Sequence, residues 1–289
     1  IDIKTTKTIT ICSSFAWHFM MVVLPCRARF GNGKQMDQKE RKIKLKLIIA
    51  YHGGNYQGWQ TQKSGIGVQS VIETKLKNFF RGAGPLHGSS RTDTGVHALG
   101  MTAHLEMPYD SLIMEPRKIR LAMNALLPSD IRIISAVRVP LRFHAQFDAK
   151  GKQYQYRIWN HPSMNPLLNG LAWHMPVKLN LQHMQKASRH FLGERDFQSV
   201  ASARKYAYKN TVRTLTRCDV RKQGNEFKII IEGDAFLYKM CRGIVGTLTA
   251  VGKGKWRADE VPGLLVTKKR SLTGMNAPAC GLTLHKVFY

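Results

Sequence analysis

From Ile43 to the C-terminus two hydrophobic periods alternate, and they do so twice in the same order. That repeated order limits the fold more than any other feature of the chain. Ile43, Leu45, Leu47, Ile49 and Tyr51 alternate with Lys44, Lys46, Ile48 and Ala50, the period-two pattern of a strand with one buried face. A Gly-rich turn follows over 52–59. Val68, Val71, Ile72, Leu76, Phe79 and Phe80 then recur at helical spacing. A short piece near Leu86 leads into a polar loop over 88–100, after which Met101, Ala103, Leu105 and Met107 alternate again. The pattern predicts a helix over 117–126, stopped by Pro128, and a strand over 131–139.

The second half runs the same way. Residues 153–159 read as a strand. Residues 181–192 read as a helix, with Asn180 as N-cap and Gly193 as its stop. Residues 211–221 and 226–232 read as a hairpin around Gly224 and Asn225. The stripe Leu237, Met240, Cys241, Ile244, Val245 and Leu248 predicts a helix over 236–251, and 282–288 closes as a strand. Each half is therefore β-α-β-β-α-β, the ferredoxin-like arrangement. The expected fold is α+β: two such halves, 41–148 and 149–289, form antiparallel sheets with a central cleft. Residues 167–177 and 256–279 fit no repeat element and read as insertions.

Charge narrows the partner. Forty-five basic residues face eighteen acidic ones, a formal +27. Solubility does not require so one-sided a balance, whereas a polyanion does reward it, because neutralised phosphates release counterions. No basic amphipathic segment favours a membrane. The five cysteines, Cys12, Cys26, Cys218, Cys241 and Cys280, form neither a Cys-x-x-Cys pair nor a metal-ligand spacing, so no disulfide framework and no metal are expected. No nucleotide, flavin or phosphate-loop motif is found, and no cofactor is expected. Residues 1–40 read as an N-terminal extension, targeting or disordered. Their apolar stretch over 13–24 is too short to span a membrane, and the basic flanks at Lys4, Lys7, Arg27 and Arg29 fit a mitochondrial or a secretory leader loosely. The expected location is mitochondrial or cytoplasmic, the first favoured.

The run Gly88-Ser-Ser-Arg-Thr-Asp-Thr-Gly-Val-His-Ala98 places an acid, a base, hydroxyls and a histidine in one Gly-flanked loop. Loops of this composition carry chemistry, and they also form plain turns in which an Asp bonds its own backbone. Composition leaves both readings open.

This run resembles the signature loop of the TruA-type tRNA pseudouridine synthases, commonly Gly-Arg-Thr-Asp-Ala-Gly-Val-His-Ala. Arg91, Thr92, Asp93, Gly95, Val96, His97 and Ala98 match, while Ser90 and Thr94 replace a Gly and an Ala. A Ser at position 90 disfavours a positive φ. Further segments match in order: 50–60, 124–130, 143–149 leading into 152–156, 193–197, 236–246 and 277–282. Gln146 stands where the family often has Arg.

The resemblance implies an isomerase that converts uridine in tRNA to pseudouridine with no cofactor or metal. It places the catalytic nucleophile at Asp93, its basic neighbour at Arg91, a base-stacking ring at Tyr154 and the active-site guanidinium at Arg242. Other readings stand beside these. Arg242 can hold a phosphate, Tyr154 and Tyr156 can be core tyrosines, and His97 can contact RNA or brace the loop. Trp59 reads as core. Lys239, Lys253, Lys255, Arg257, Lys268, Lys269 and Arg270 supply non-specific grip as a group. The implied partner is tRNA, with other RNA open; the chain acts as a monomer or homodimer, and no membrane is involved. The competing class is an RNA binder without catalysis, such as a chaperone.

Overall fold

A computed structural model of the chain describes residues 42–62, 65–111, 114–203 and 208–289. The 1–40 extension, with Cys12 and Cys26, lies outside the described residues. Residues 39–289 cluster as one compact unit.

The first run of elements is β1 (Lys42–Tyr51), α1 (Val68–Phe79), β2 (His87–Gly88), β3 (His97–Pro108), α2 (Pro116–Leu126) and β4 (Ile131–Val139). The second is β5 (Gly151–Trp159), β6 (Trp173–His174), α3 (Leu181–Arg189), β7 (Gly193–Asp196), β8 (Val212–Gln223), β9 (Glu226–Gly233), α4 (Met240–Gly252), α5 (Val261–Val266) and β10 (Leu282–Phe288). The strands make one mixed sheet in the order β4-β1-β3-β10-β5-β9-β8-β7, with β2 beside β3 and β6 beside β5. The expectation of antiparallel sheets is corrected here. The last strand, β10, enters between β3 and β5 and pairs in parallel with β3, Thr283 opposite His97 and Leu284 opposite Ala98. That short parallel join turns two sets of strands into one sheet.

Strand alternation explains the core. In register, Leu45 faces Leu105, Leu47 faces Ala103 and Ile49 faces Met101, all buried. Val68, Ile72 and Leu76 of α1 and Ile119 and Met123 of α2 join this cluster. In the second run Tyr154, Tyr156 and Ile158 pair with Ile231, Ile229 and Phe227, and Ile244, Val245, Leu248 and Val251 of α4 complete the core. Each such side chain contributes about 1.5–3 kcal/mol by leaving water.

Two helix boundaries differ from the expected ones. The α4 helix begins at Met240, not Phe236, because Lys239 adopts a left-handed backbone (φ 58°) and breaks the preceding turn. The α3 helix keeps Asn180 as its N-cap, whose side chain accepts from His183 N, but ends at Arg189. Phe191 and Leu192 then donate to carbonyls three residues back, tightening the chain before Gly193 opens β7.

Candidate active site

The Gly-flanked loop between β2 and β3 is held from three sides. The turn after β1 lies directly against it: Trp59 N donates to Thr92 O at 3.3 Å, and Gly95 N donates to Tyr56 O at 3.3 Å. Gly58 makes this approach possible. Its φ is +84°, and a Cβ there would sit 2.2 Å from Thr92 O. Tyr51, buried at the end of β1, shares a hydrogen bond with Thr92 Oγ1 at 2.8 Å. The turn itself is tied to Asp130, which accepts from Tyr56 Oη at 2.6 Å and from Asn55 Nδ2 at 3.2 Å.

Within the loop Val96 N donates to Asp93 O at 3.1 Å, forming the turn that presents Asp93. Its carboxylate meets Arg242, whose Nη1 donates to Asp93 Oδ2 at 3.1 Å. The side chains are 20% and 14% exposed, so the pair is largely shielded yet reachable. Arg242 comes from the first turn of α4, where a cation opposes the helix dipole; the carboxylate offsets that cost. Its Nε donates to Ala277 O at 2.6 Å, and Ala277 N donates to Arg242 O at 3.0 Å. The guanidinium is thus aimed by the 274–277 strand of chain as well as by its helix.

Tyr154 stands beside the pair. Its hydroxyl hydrogen-bonds Ser90 Oγ at 3.1 Å, and its ring meets Phe236 edge-on at 5.1 Å. The residue is 6% exposed. Burial first, then the neighbouring Cys241 and Asp93, push its phenol well above the usual range, so it stays protonated. Ser90 has no positive φ, so a side chain is admissible there. Tyr156 is wholly core, donating to Pro278 O at 2.8 Å. The Cys241 thiol is also pushed well up by burial, which removes it as a nucleophile.

His97 is 4% exposed. Its Nδ1 accepts from Gly53 N at 3.0 Å and its Nε2 lies 3.0 Å from Cys280 O. The first bond fixes the proton on Nε2, and burial, with His52 nearby, lowers its pKa and keeps it neutral. Arg91 is exposed, and its guanidinium makes no hydrogen bond or ion pair with the described residues. Of the dispersed cations, Lys268 pairs with Asp196 at 2.9 Å and Arg257 with Asp259 at 3.2 Å, while Arg270 donates to Thr273 and Gly274. Lys253, Lys255 and Lys269 are exposed.

The family model for tRNA pseudouridine synthase matches residues 47–148 and 187–289, the segments that supply Asp93 and Arg242. The chain belongs to the tRNA pseudouridine synthase family. Relatives within that family include tRNA pseudouridine synthase A of Geotalea uraniireducens, 44% identical over 85% of this chain and 99% of that protein. The enzyme of Acetivibrio thermocellus is 43% identical over the same shares, and that of Chlamydia trachomatis 39% identical over 85% and 92%. Among solved structures, an H/ACA RNP bound to a substrate RNA containing 2′-deoxyuridine matches at 12% identity and a TM-score of 0.32, over 71% of this chain and 44% of that one, a likeness too slight to bear on fold or function.

For this pseudouridine synthase family member, the sequence pointed to Asp93, Tyr154 and Arg242, and these three lie together. His97 lies behind the loop instead, against Gly53 and Cys280. The residues that sequence reading missed are the braces: Tyr51, Asp130, Phe236 and Ala277. Asp130 and Ala277 stand in segments that matched the family, which was the available signal. Phe236 stands in such a segment too, 236–246, but its place at the head of an expected helix hid its role beside Tyr154.

Proposed function

We propose that this chain is the enzyme that isomerises uridine in tRNA to pseudouridine, with the Asp93 carboxylate as the catalytic nucleophile. The observation that carries the reading is the Asp93–Arg242 pair at 3.1 Å, set in the signature loop and bordered by the buried Tyr154. An RNA chaperone has no use for a shielded carboxylate beside its ligand, since an anion repels phosphate. The isomerisation needs one: the ribose C1′–N1 bond breaks, the base turns, and C1′ bonds to C5 while the C5 proton moves to N1. Nothing is gained or lost, so no redox partner is required.

In this reading Asp93 acts on the target nucleotide. Arg242 holds its carboxylate as a neutral unit in a site from which water is largely excluded. Tyr154 stacks on the base after Phe236 swings from its edge, returning about 1–3 kcal/mol against unstacking. Arg91, exposed and uncommitted, contacts a phosphate or fills the gap the base leaves. His97 positions the loop from behind and does not touch RNA.

We also read the two runs as ferredoxin-like halves, 41–148 and 149–289. The sub-orders β4-β1-β3-β2 and β10-β5-β9-β8 support this, and the loop from one half and α4 from the other would border the cleft. The test uses the full chain, uridine-labelled total tRNA and no added metal or cofactor, with Asp93→Asn in parallel. Pseudouridine from the wild type alone, with equal tRNA binding by both, is the expected result; binding without product from either moves the chain to the chaperone class.

A further inference from the structure

A cavity of about 480 Å³ opens in the first run of elements, beside the start of the Asp93 loop. Lys42, Lys44, His87, His104, Glu106 and His144 line it. It lies where β2 meets β3, His87 opposite His104, and His87 stands six residues before Asp93, at most about 20 Å of extended chain. The three imidazoles touch one another, His87 on His104 at 5.0 Å and His104 on His144 at 4.6 Å between ring centres.

Backbone groups fix the state of two rings. Ala145 N donates to His104 Nδ1 at 3.1 Å, and Gln146 N and Phe147 N donate to His144 Nδ1 at 3.2 Å. Each ring therefore carries its proton on Nε2, as a neutral donor. Lys44 is spent: its ammonium donates to Leu141 O and to Phe143 O at 2.8 Å and pairs with Glu106 at 3.1 Å. That leaves Lys42 and His87, both exposed, at the rim, with Glu106 and, beside His144, Asp148 as the nearby acids. A cation and two fixed imidazole N–H donors around one cavity match a phosphate oxygen cluster. No group of side chains able to hold a metal occurs among the described residues.

We propose that this histidine-lined cavity is a second RNA contact, taking a backbone phosphate of the same tRNA whose uridine reaches Asp93. The proposal rests on the tRNA reading above. A folded RNA extends tens of ångströms, so a backbone contact beside the loop fixes how the RNA is presented rather than the reaction itself.

The test is the full-length Lys42→Ala/His87→Ala protein against wild type, with KM, kcat and Kd for unmodified tRNA measured across salt concentrations. The expected result is a KM raised about 5- to 10-fold, with the loss in KM rather than kcat, and a salt slope smaller by about one phosphate contact. Lys42→Arg/His87→Gln, which keeps the charge and a donor, should restore most of it. Unchanged KM and salt slope in a protein that makes pseudouridine would sink the site and leave the enzyme reading intact. If the wild type binds tRNA but makes no product, the enzyme reading fails, and the Kd comparison still decides the site. Loss of wild-type tRNA binding on adding EDTA, with the double variant insensitive, would overturn the proposal in favour of a bound cation.

Discussion

At the scale of single residues, the site depends on one charge pair and one ring. Arg242→Gln leaves the Asp93 carboxylate shielded without its cation. Removing one member of a buried pair typically costs about 3–5 kcal/mol, and partial exposure here places the expected loss at about 3 kcal/mol. Urea unfolding should show that loss, and tRNA turnover should fall by more than stability explains, because the carboxylate is no longer aimed. Tyr154 separates two roles. Tyr154→Phe deletes the bond to Ser90 and keeps the ring, so about 1 kcal/mol or less of stability and most activity should remain; Tyr154→Ala should lose activity as well. Equal turnover by the Phe and Ala variants would refute stacking. These residues were legible in the sequence because they stand in motifs. The partners that aim them were less so: Ala277 acts through a carbonyl, which no side-chain pattern reveals.

At the scale of elements, the α4 helix is the part that must be placed, and its glycines place it. A Cβ on Gly246 would lie 1.7 Å from Met275 O, so the helix can meet the 274–277 strand of chain only without one. That contact is also what lets Ala277 hold Arg242. Gly246→Ala should therefore cost about 2–3 kcal/mol by overpacking and lower kcat far more than KM, although residue 246 touches no RNA. Thermal melts and steady-state kinetics on the same preparation check it; a destabilised protein with normal kcat would show that α4 can shift without moving the guanidinium. Strong alternation and stripes made most elements readable, with β4 and β10 at the expected residues. What escaped was set by contacts distant in sequence: β2 and β6 are two-residue strands that exist only against β3 and β5, and the start of α4 is fixed by the left-handed Lys239.

At the scale of the whole molecule, the sheet's continuity was invisible because two residues of parallel pairing carry it, and periodicity does not say which strands meet. The same tertiary placement creates a pH sensitivity that composition alone would not reveal. His104 is 3% exposed, and its pKa is lowered from 6.5 to about 4, by burial first and then by His144, Lys44 and His87, against a smaller opposing effect of Glu106. His97 and His144 are lowered too, burial leading in both. Between pH 6.5 and about 4 the unfolded chain binds protons that the folded one refuses, so stability rises with pH through this window. Above it the contribution is fully present; as pH falls toward 4 it is lost, by about 3 kcal/mol for His104 alone. The urea midpoint should fall steadily over that range at constant m-value. His104→Asn, which keeps an acceptor for Ala145 N but cannot take up a proton, should flatten the dependence. A midpoint independent of pH in the wild type would mean that the cavity admits the proton and its water without unfolding.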